Sequence, residues 1–156
     1  MIYDDISDFA AALPPMQALI GLDLGEKTIG VAVSDSFLSI ATPLETVRRK
    51  KFGVDAARLS EIIAARGIGG VVLGLPRNMD GTEGPRAQAS RAYARNLAQT
   101  LHLPVLLWDE RWSTSSAEAA MIGQDMSRAK RATKIDSHAA AIILQGAIDA
   151  LAGGGL

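Results

Sequence analysis

Apolar and polar positions alternate over ALIGLDL, residues 18–24, and again over IGVAVSD, residues 29–35. Period-two alternation on either side of the polar turn Gly25-Glu26-Lys27-Thr28 predicts a β-hairpin. A third strand is expected over 40–47, running into the basic stretch Arg48-Arg49-Lys50-Lys51. The pattern then changes period. In VDAARLSEIIAARG, Ala57, Leu59, Ile62 and Ile63 recur at helical spacing and Gly67 supplies a stop. GGVVLGL, 69–75, is a continuous apolar run of the kind shown by a parallel strand covered on both faces.

A Pro/Gly-rich loop, PRNMDGTEGP, follows, then a helix over about 86–101 and a strand, PVLLWDE, over 104–110. STSSAEAAMIG is expected as a short helix. GQDMSRAKRATK, 123–134, has no apolar periodicity and is expected as a basic loop. The last helix, KIDSHAAAIILQGAIDAL, spans about 134–151. Three strands that pair in sequence, followed by strands alternating with helices, argue one mixed α/β sheet covered by helices on both faces. Residues 1–17, set off by Pro14-Pro15, read as an N-terminal extension, and 18–156 as a single domain.

Charge and composition narrow the classes. The 16 Lys and Arg stand against 17 Asp and Glu, a net charge of -1, so any nucleic-acid footprint must come from distribution and not from the sum. Half of the positive residues fall in 48–51 and 126–134. The chain has no cysteine, which removes disulfides, thiolate metal sites and cysteine nucleophiles. The first 17 residues lack the basic start of a signal peptide, and no apolar run approaches the ~20 residues that span a bilayer. A cytoplasmic protein is expected.

Acids break the pattern at three places. Asp23 sits within an apolar strand, where a lone carboxylate is costly to bury. Asp109-Glu110 ends the last strand. Ligands gather at the carboxyl ends of parallel strands, and alternation sends residues 109 and 110 to opposite faces, so one of them shares a site with Asp23. The longer Glu110 is favoured. Asp136 lies on one helical stripe with Ala140, Ile143 and Ala147, and the small alanines allow that helix to sit close to the sheet. Plainer roles are open to each: Asp23 bonding the amides of the Gly25 turn, Asp109 or Glu110 pairing with Arg111 or solvent, Asp136 closing a capping box that begins at Thr133. Three acids converging on one sheet edge would repel unless cations sat among them. Mg²⁺ takes oxygen ligands, and two such ions ~4 Å apart can serve phosphodiester hydrolysis.

GLDLGEKTIGVAVSD, VVLGLPRNMDGTEG, DERWST and KIDSHAAAIIL, in this order, resemble the YqgF (RuvX) family, small RNase H-fold proteins related to RuvC-type Holliday junction resolvases. The resemblance covers about 18–151. It implies a five-stranded sheet of order 3-2-1-4-5, a cytoplasmic metal-dependent nuclease acting at the 5′ end of pre-16S ribosomal RNA, and an acidic triad of Asp23, Glu110 and Asp136 that holds Mg²⁺ or Mn²⁺, with two metals expected. It does not itself separate Asp109 from Glu110. Related resolvases carry a further acid where this chain has Ala139, with His138 beside it.

Substrate contacts are expected from Lys27 in the first turn, from Arg77 and Asn78 after the apolar strand, from Arg111, and from Arg128, Lys130 and Arg131 ahead of Asp136. Such contacts make affinity salt-dependent. Trp112 is a stacking candidate and Trp108 a core residue. The expected partner is nucleic acid, pre-rRNA ahead of branched DNA, with ribosomal precursor particles as a further partner and a monomer or weak dimer as the active form. Two other readings compete: a nucleic-acid- or ribosome-binding module without chemistry, and an ATPase, since DLGEKTIGVAVSD also resembles the first phosphate loop of actin and the sugar kinases. Those proteins place two such domains around the nucleotide, and this chain has length for one.

Overall fold

A computed structural model describes residues 1–76, 78, 80–110 and 128–153, the last run with side chains from Ser137 to Ala152. The elements are β1 (Ile2–Tyr3), α1 (Ile6–Ala12), β2 (Ala18–Leu24), β3 (Thr28–Ser34), β4 (Ala41–Arg48), α2 (Phe52–Arg66), β5 (Ile68–Leu75), α3 (Pro85–Leu101), β6 (Val105–Asp109) and α4 (Arg128–Gly153). They form one six-stranded sheet of order β1-β6-β5-β2-β3-β4. β2 pairs antiparallel with β3 and parallel with β5, and β5 runs parallel to β6. The five strands after residue 17 therefore stand in the expected order, 3-2-1-4-5.

The sixth strand corrects the strand count. β1 adds in parallel to β6, with Ile2 opposite Val105 and Tyr3 opposite Leu106. A two-residue strand is too short to show periodicity. The extension continues as α1, capped by Asp5, whose carboxylate accepts from the Asp8 amide at 3.1 Å. Phe9 on this helix is fully buried.

Alternation along the central strands sorts the core into two layers. Ile20, Leu22, Leu73 and Leu107 face α2 and α3. Leu19, Val72, Leu106 and Trp108 face α1 and α4, packed on Ala140, Ile143, Leu144 and Ala147. β5 is buried at all eight residues, as its unbroken apolar run requires. Two glycines permit close packing on the α4 face. A Cβ at Gly21 would lie 2.6 Å from the Leu144 Cβ and 3.0 Å from the Ala140 carbonyl, and one at Gly74 would lie 2.7 Å from the Ile143 Cδ1. α4 thus rests directly on the backbone of β2 and β5.

A second correction concerns 123–134. The helix begins at Arg128, so Arg128, Lys130, Arg131 and Lys134 lie on its first turns and not in a loop. Ala, Arg and Lys are good helix formers, and apolar periodicity marks only a helix face that is buried. Asp136 consequently sits two turns inside α4, which removes the capping-box role. The short helix expected over 113–123 lies outside the described residues.

Candidate active site

The carboxyl ends of β2 and β6 lie on either side of β5, and two of the acids that the pattern singled out, Asp23 and Glu110, meet there. Asp23 follows Leu19 and Gly21 in alternation and so faces α4. Glu110 follows Leu106 and Trp108 on the same face, immediately after β6. Between them β5 offers Gly74, and a Cβ at that position would lie 2.5 Å from Glu110 Oε1. The absence of a side chain at residue 74 is what leaves room for the Glu110 carboxylate. Asp23 and Glu110 share a side-chain hydrogen bond. The Glu110 carboxyl is pushed up to about 8, first by burial, then by the charge of Asp23 and the hydrogen bond to it, while Arg86 opposes the rise. Two carboxylates so placed hold a proton between them or require a cation.

Asp109 pairs across to Leu75 in the β5–β6 ladder and is buried, and by alternation faces the opposite layer with Leu107. The geometry thus separates the two acids: it is Glu110 that joins Asp23. Asp136 lies in α4, one helical turn before Ala140, the residue whose carbonyl approaches Gly21. Its side chain is outside the described set. Among the described residues no cluster of three or more His, Asp or Glu is assembled; the pair offers two carboxylates, all of whose donors are oxygens. That donor set suits a hard cation such as Mg²⁺ or Mn²⁺.

The expected substrate contacts divide. Lys27 is exposed on the β2–β3 turn, where its carbonyl accepts from the Arg49 amide at 2.8 Å and Gly25 N–H donates to the Thr28 carbonyl at 2.8 Å. Asn78 spends its side chain on the loop: its amide donates to Thr82 Oγ1 at 3.0 Å, while its backbone N–H donates to the Thr82 carbonyl at 2.8 Å. The Thr82 hydroxyl in turn donates to Asp80 Oδ1 at 2.6 Å. This network shapes the turn that precedes α3. Arg128, Lys130 and Arg131 lie on the helical backbone at the start of α4. Arg77, Arg111 and Trp112 lie outside the described residues. His138 is half-buried in α4.

Two arginines escaped the sequence reading. Arg86 stands in the first turn of α3, and its charge reaches Glu110. Arg49 donates from Nη1 to the Gly25 carbonyl at 2.6 Å. The signal for Arg86 was its place just after Gly84-Pro85, a helix start that follows the carboxyl end of a parallel strand. Arg49 was masked by its neighbours in a four-residue basic run.

Comparison with known proteins places this fold. The family model RuvX, described as Holliday junction resolvase, matches residues 17–150. A protein of Roseobacter denitrificans provisionally named a pre-16S rRNA nuclease is 64% identical over 151 residues, covering 96% of this chain and 93% of its own. A protein of Ruegeria pomeroyi under the same name is 59% identical, covering 97% and 98%. Among solved structures, T. thermophilus RuvC in complex with a Holliday junction substrate superposes with a TM-score of 0.53 at 17% identity, over 88% of this chain and 96% of that one. A second Thermus thermophilus RuvC structure gives 0.51 at 16%, over 88% and 97%. The fold is the RNase H-like α/β fold of these proteins.

Proposed function

The chain belongs to the RuvX family, and from that premise we propose that it is a metal-dependent nuclease that hydrolyses phosphodiester bonds in the 5′-end processing of pre-16S ribosomal RNA. The observation that carries the reading is the hydrogen-bonded Asp23–Glu110 pair, set above Gly74 at the carboxyl ends of β2 and β6. The 64% identical relative named for pre-16S rRNA supports the substrate.

In this reading Asp23, Glu110 and Asp136 are the catalytic acids and would hold the Mg²⁺ or Mn²⁺ ions, two being expected. When bound, the divalent cation supplies Lewis-acid polarisation of the scissile phosphate and compensates the charge of the leaving oxygen. The chain's own groups do the rest. Asp23 and Glu110 give up their shared proton to become a pair of anionic donors. Arg86 favours the ionised form of Glu110. Gly74 keeps the space over β5 clear. Asp136 approaches on α4, which the alanines of its inner stripe hold tightly to the sheet. Lys27, Arg77, Arg111 and the α4 residues Arg128, Lys130 and Arg131 hold the phosphates of the strand, and Asn78 orders the loop that carries Arg77. The enzyme acts in the cytoplasm on RNA or on ribosomal precursor particles, as a monomer or weak dimer. No helix of the described residues is long and apolar enough to cross a membrane.

A second reading, cleavage of branched DNA, is favoured by the resolvase description of the family. One experiment separates the two and tests both. A 5′-extended 16S precursor, a plain single-stranded RNA and a four-way DNA junction are each incubated with Mg²⁺, Mn²⁺ or chelator, using wild type, Asp23→Asn and Glu110→Gln. Metal-dependent cleavage of the precursor that both substitutions abolish is expected. Preferential cleavage of the junction would establish the second reading. Binding without cleavage by any protein would overturn both in favour of a binding module.

A further inference from the structure

Beside the acidic pair, on the α2–α3 side of the sheet, lies a cleft of about 120 Å³ between the β2–β3 turn and the first turns of α3. Gly25, Glu26, Arg49, Arg86 and Ser90 are among its lining residues. It opens two residues beyond Asp23 along the chain. Two guanidinium groups against one carboxylate make its lining net positive, in a protein whose overall charge is -1.

Arg49 is held in place on two sides. Its Nη1 donates to the Gly25 carbonyl at 2.6 Å, and its guanidinium carbon lies 5.4 Å from the centre of the Tyr93 ring. The ring is itself fixed edge-on against Phe52 at 5.2 Å. The Gly25 bond takes one of the five donors that a guanidinium carries. Arg86 is exposed in the first turn of the 17-residue helix α3, whose N-cap Gly84 offers no side-chain bond to the leading amides. The positive end of that helix therefore adds to the same field. Planar guanidinium forks, one pre-positioned by stacking, match the oxygens of a phosphate.

We propose that this cleft binds a backbone phosphate next to the scissile one, Arg49 and Arg86 gripping it so that the strand is drawn across the end of β2 onto Asp23 and Glu110. The proposal deepens the nuclease reading and rests on it, since a subsite needs a strand that the site acts upon. It assigns the chain a second set of phosphate donors, across the sheet from the basic start of α4.

The test is equilibrium binding of a fluorescent single-stranded RNA and of a four-way DNA junction, as a function of salt, in chelator and again with Ca²⁺. Wild type is compared with Arg86→Gln, Arg86→Lys, the double variant Arg49→Gln/Arg86→Gln, and Arg66→Gln. Arg66 ends α2 just before the amino end of β5, at the end of the parallel strands away from the cleft, and serves as the control. Removing one phosphate contact lowers the slope of log affinity against log salt by about one. Arg86→Gln is expected to lose that much and to weaken binding several-fold at low salt, the double variant to lose about two, and Arg86→Lys to keep the slope. Because the effect is read in chelator, it does not pass through metal held by Glu110. Thermal melts confirm that each variant is folded, and Arg86, being exposed, carries the comparison if Arg49→Gln melts early. Slopes for Arg86→Gln equal to those of Arg66→Gln would overturn the subsite while leaving the nuclease reading standing. Failure of the wild type to bind either nucleic acid in either condition would overturn both.

Discussion

Gly74 lies directly beneath Glu110: a methyl group at residue 74 would sit 2.5 Å from Oε1 and 2.7 Å from the Ile143 Cδ1. Real Cβ atoms do not come this close, so any side chain here must displace the Glu110 carboxylate and turn the Ile143 side chain aside. Gly74→Ala is therefore expected to cost about 1–3 kcal/mol in stability and to lower metal-dependent cleavage at least tenfold. Gly53→Ala, with nothing within 4 Å of the added carbon, is the control and should be neutral or slightly stabilising. Parallel melts and cleavage rates check both.

The Asp23–Glu110 pair makes stability depend on pH in the direction opposite to that of an ordinary ion-paired carboxylate. Burial and the neighbouring Asp23 charge push Glu110 up to about 8 from an ordinary value of 4.5. The unfolded chain releases this proton near 4.5, whereas the metal-free folded chain keeps it to about 8. The folded state's advantage is full below the lower value and is lost as pH rises through the interval. In chelator the melting temperature should fall between about pH 5 and 8, and Glu110→Gln should flatten that fall. Mg²⁺ should restore stability increasingly with pH, with uptake of the ion releasing a proton below about 8, measured by calorimetry in buffers of different ionisation enthalpy.

Much of this was legible in the chain because the signals were local. The period-two runs around Gly25, the unbroken apolar β5 and the Gly67 stop each reflect one element's own burial, whereas the order of the strands comes from the family resemblance, since β5 crosses over α2 to lie beside β2 and not beside β4. Alternation narrows the partner of Asp23 to one of Asp109 and Glu110, since a one-residue difference at a strand end decides the face, and side-chain length favours Glu110. What stayed hidden depends on distant partners. β1 exists only because β6 presents an open edge, and two residues carry no period. The residues of the first turns of α4 carry no apolar periodicity, so their helical state is written in propensity and not in a hydrophobic pattern. Arg49 and Arg86 meet at one cleft although 37 positions separate them, and nothing in either neighbourhood announces the other.

The N-terminal extension behaves as part of the packed core. Phe9 is fully buried, meets Tyr3 edge-on at 6.2 Å, and its ring tip would lie 3.1 Å from a Cβ at Gly70 in β5. Arg91 on α3 ties the extension to the loop before that helix, reaching Asp4 at 3.1 Å and Glu83 at 2.6 Å. Phe9→Ala should cost about 3–5 kcal/mol, as for a buried aromatic elsewhere. Arg91→Ala should cost about 1 kcal/mol, most of it from the bidentate pair with Glu83, because Asp4 is more than half exposed and solvent screens that second pair. Urea melts of the two variants would distinguish a core role for the extension from a surface attachment.

The approach of α4 to β2 sets where Asp136 stands relative to Asp23, and Gly21 sets that approach. A Cβ at Gly21 would lie 2.6 Å from the Leu144 Cβ and 3.0 Å from the backbone carbonyl of Ala140. The first clash involves a side-chain root and the second is with main chain, so neither is relieved by turning a rotamer. Gly21→Ala should push the helix off the sheet, cost about 1–3 kcal/mol, and weaken Mn²⁺ affinity as well as cleavage. Trimming Leu144 to Ala leaves its Cβ in place, so the double variant should regain little of the lost stability. Substituting Leu144→Gly removes that Cβ and should recover part of the metal affinity in the Gly21→Ala background, while destabilising the wild-type background by cavity formation and helix-glycine cost. The coupling between the two sites, taken from the four proteins of the cycle, should be of the order of 1 kcal/mol and favourable. Additive effects on both stability and Mn²⁺ binding would mean that the distance between α4 and β2 does not govern the acidic site.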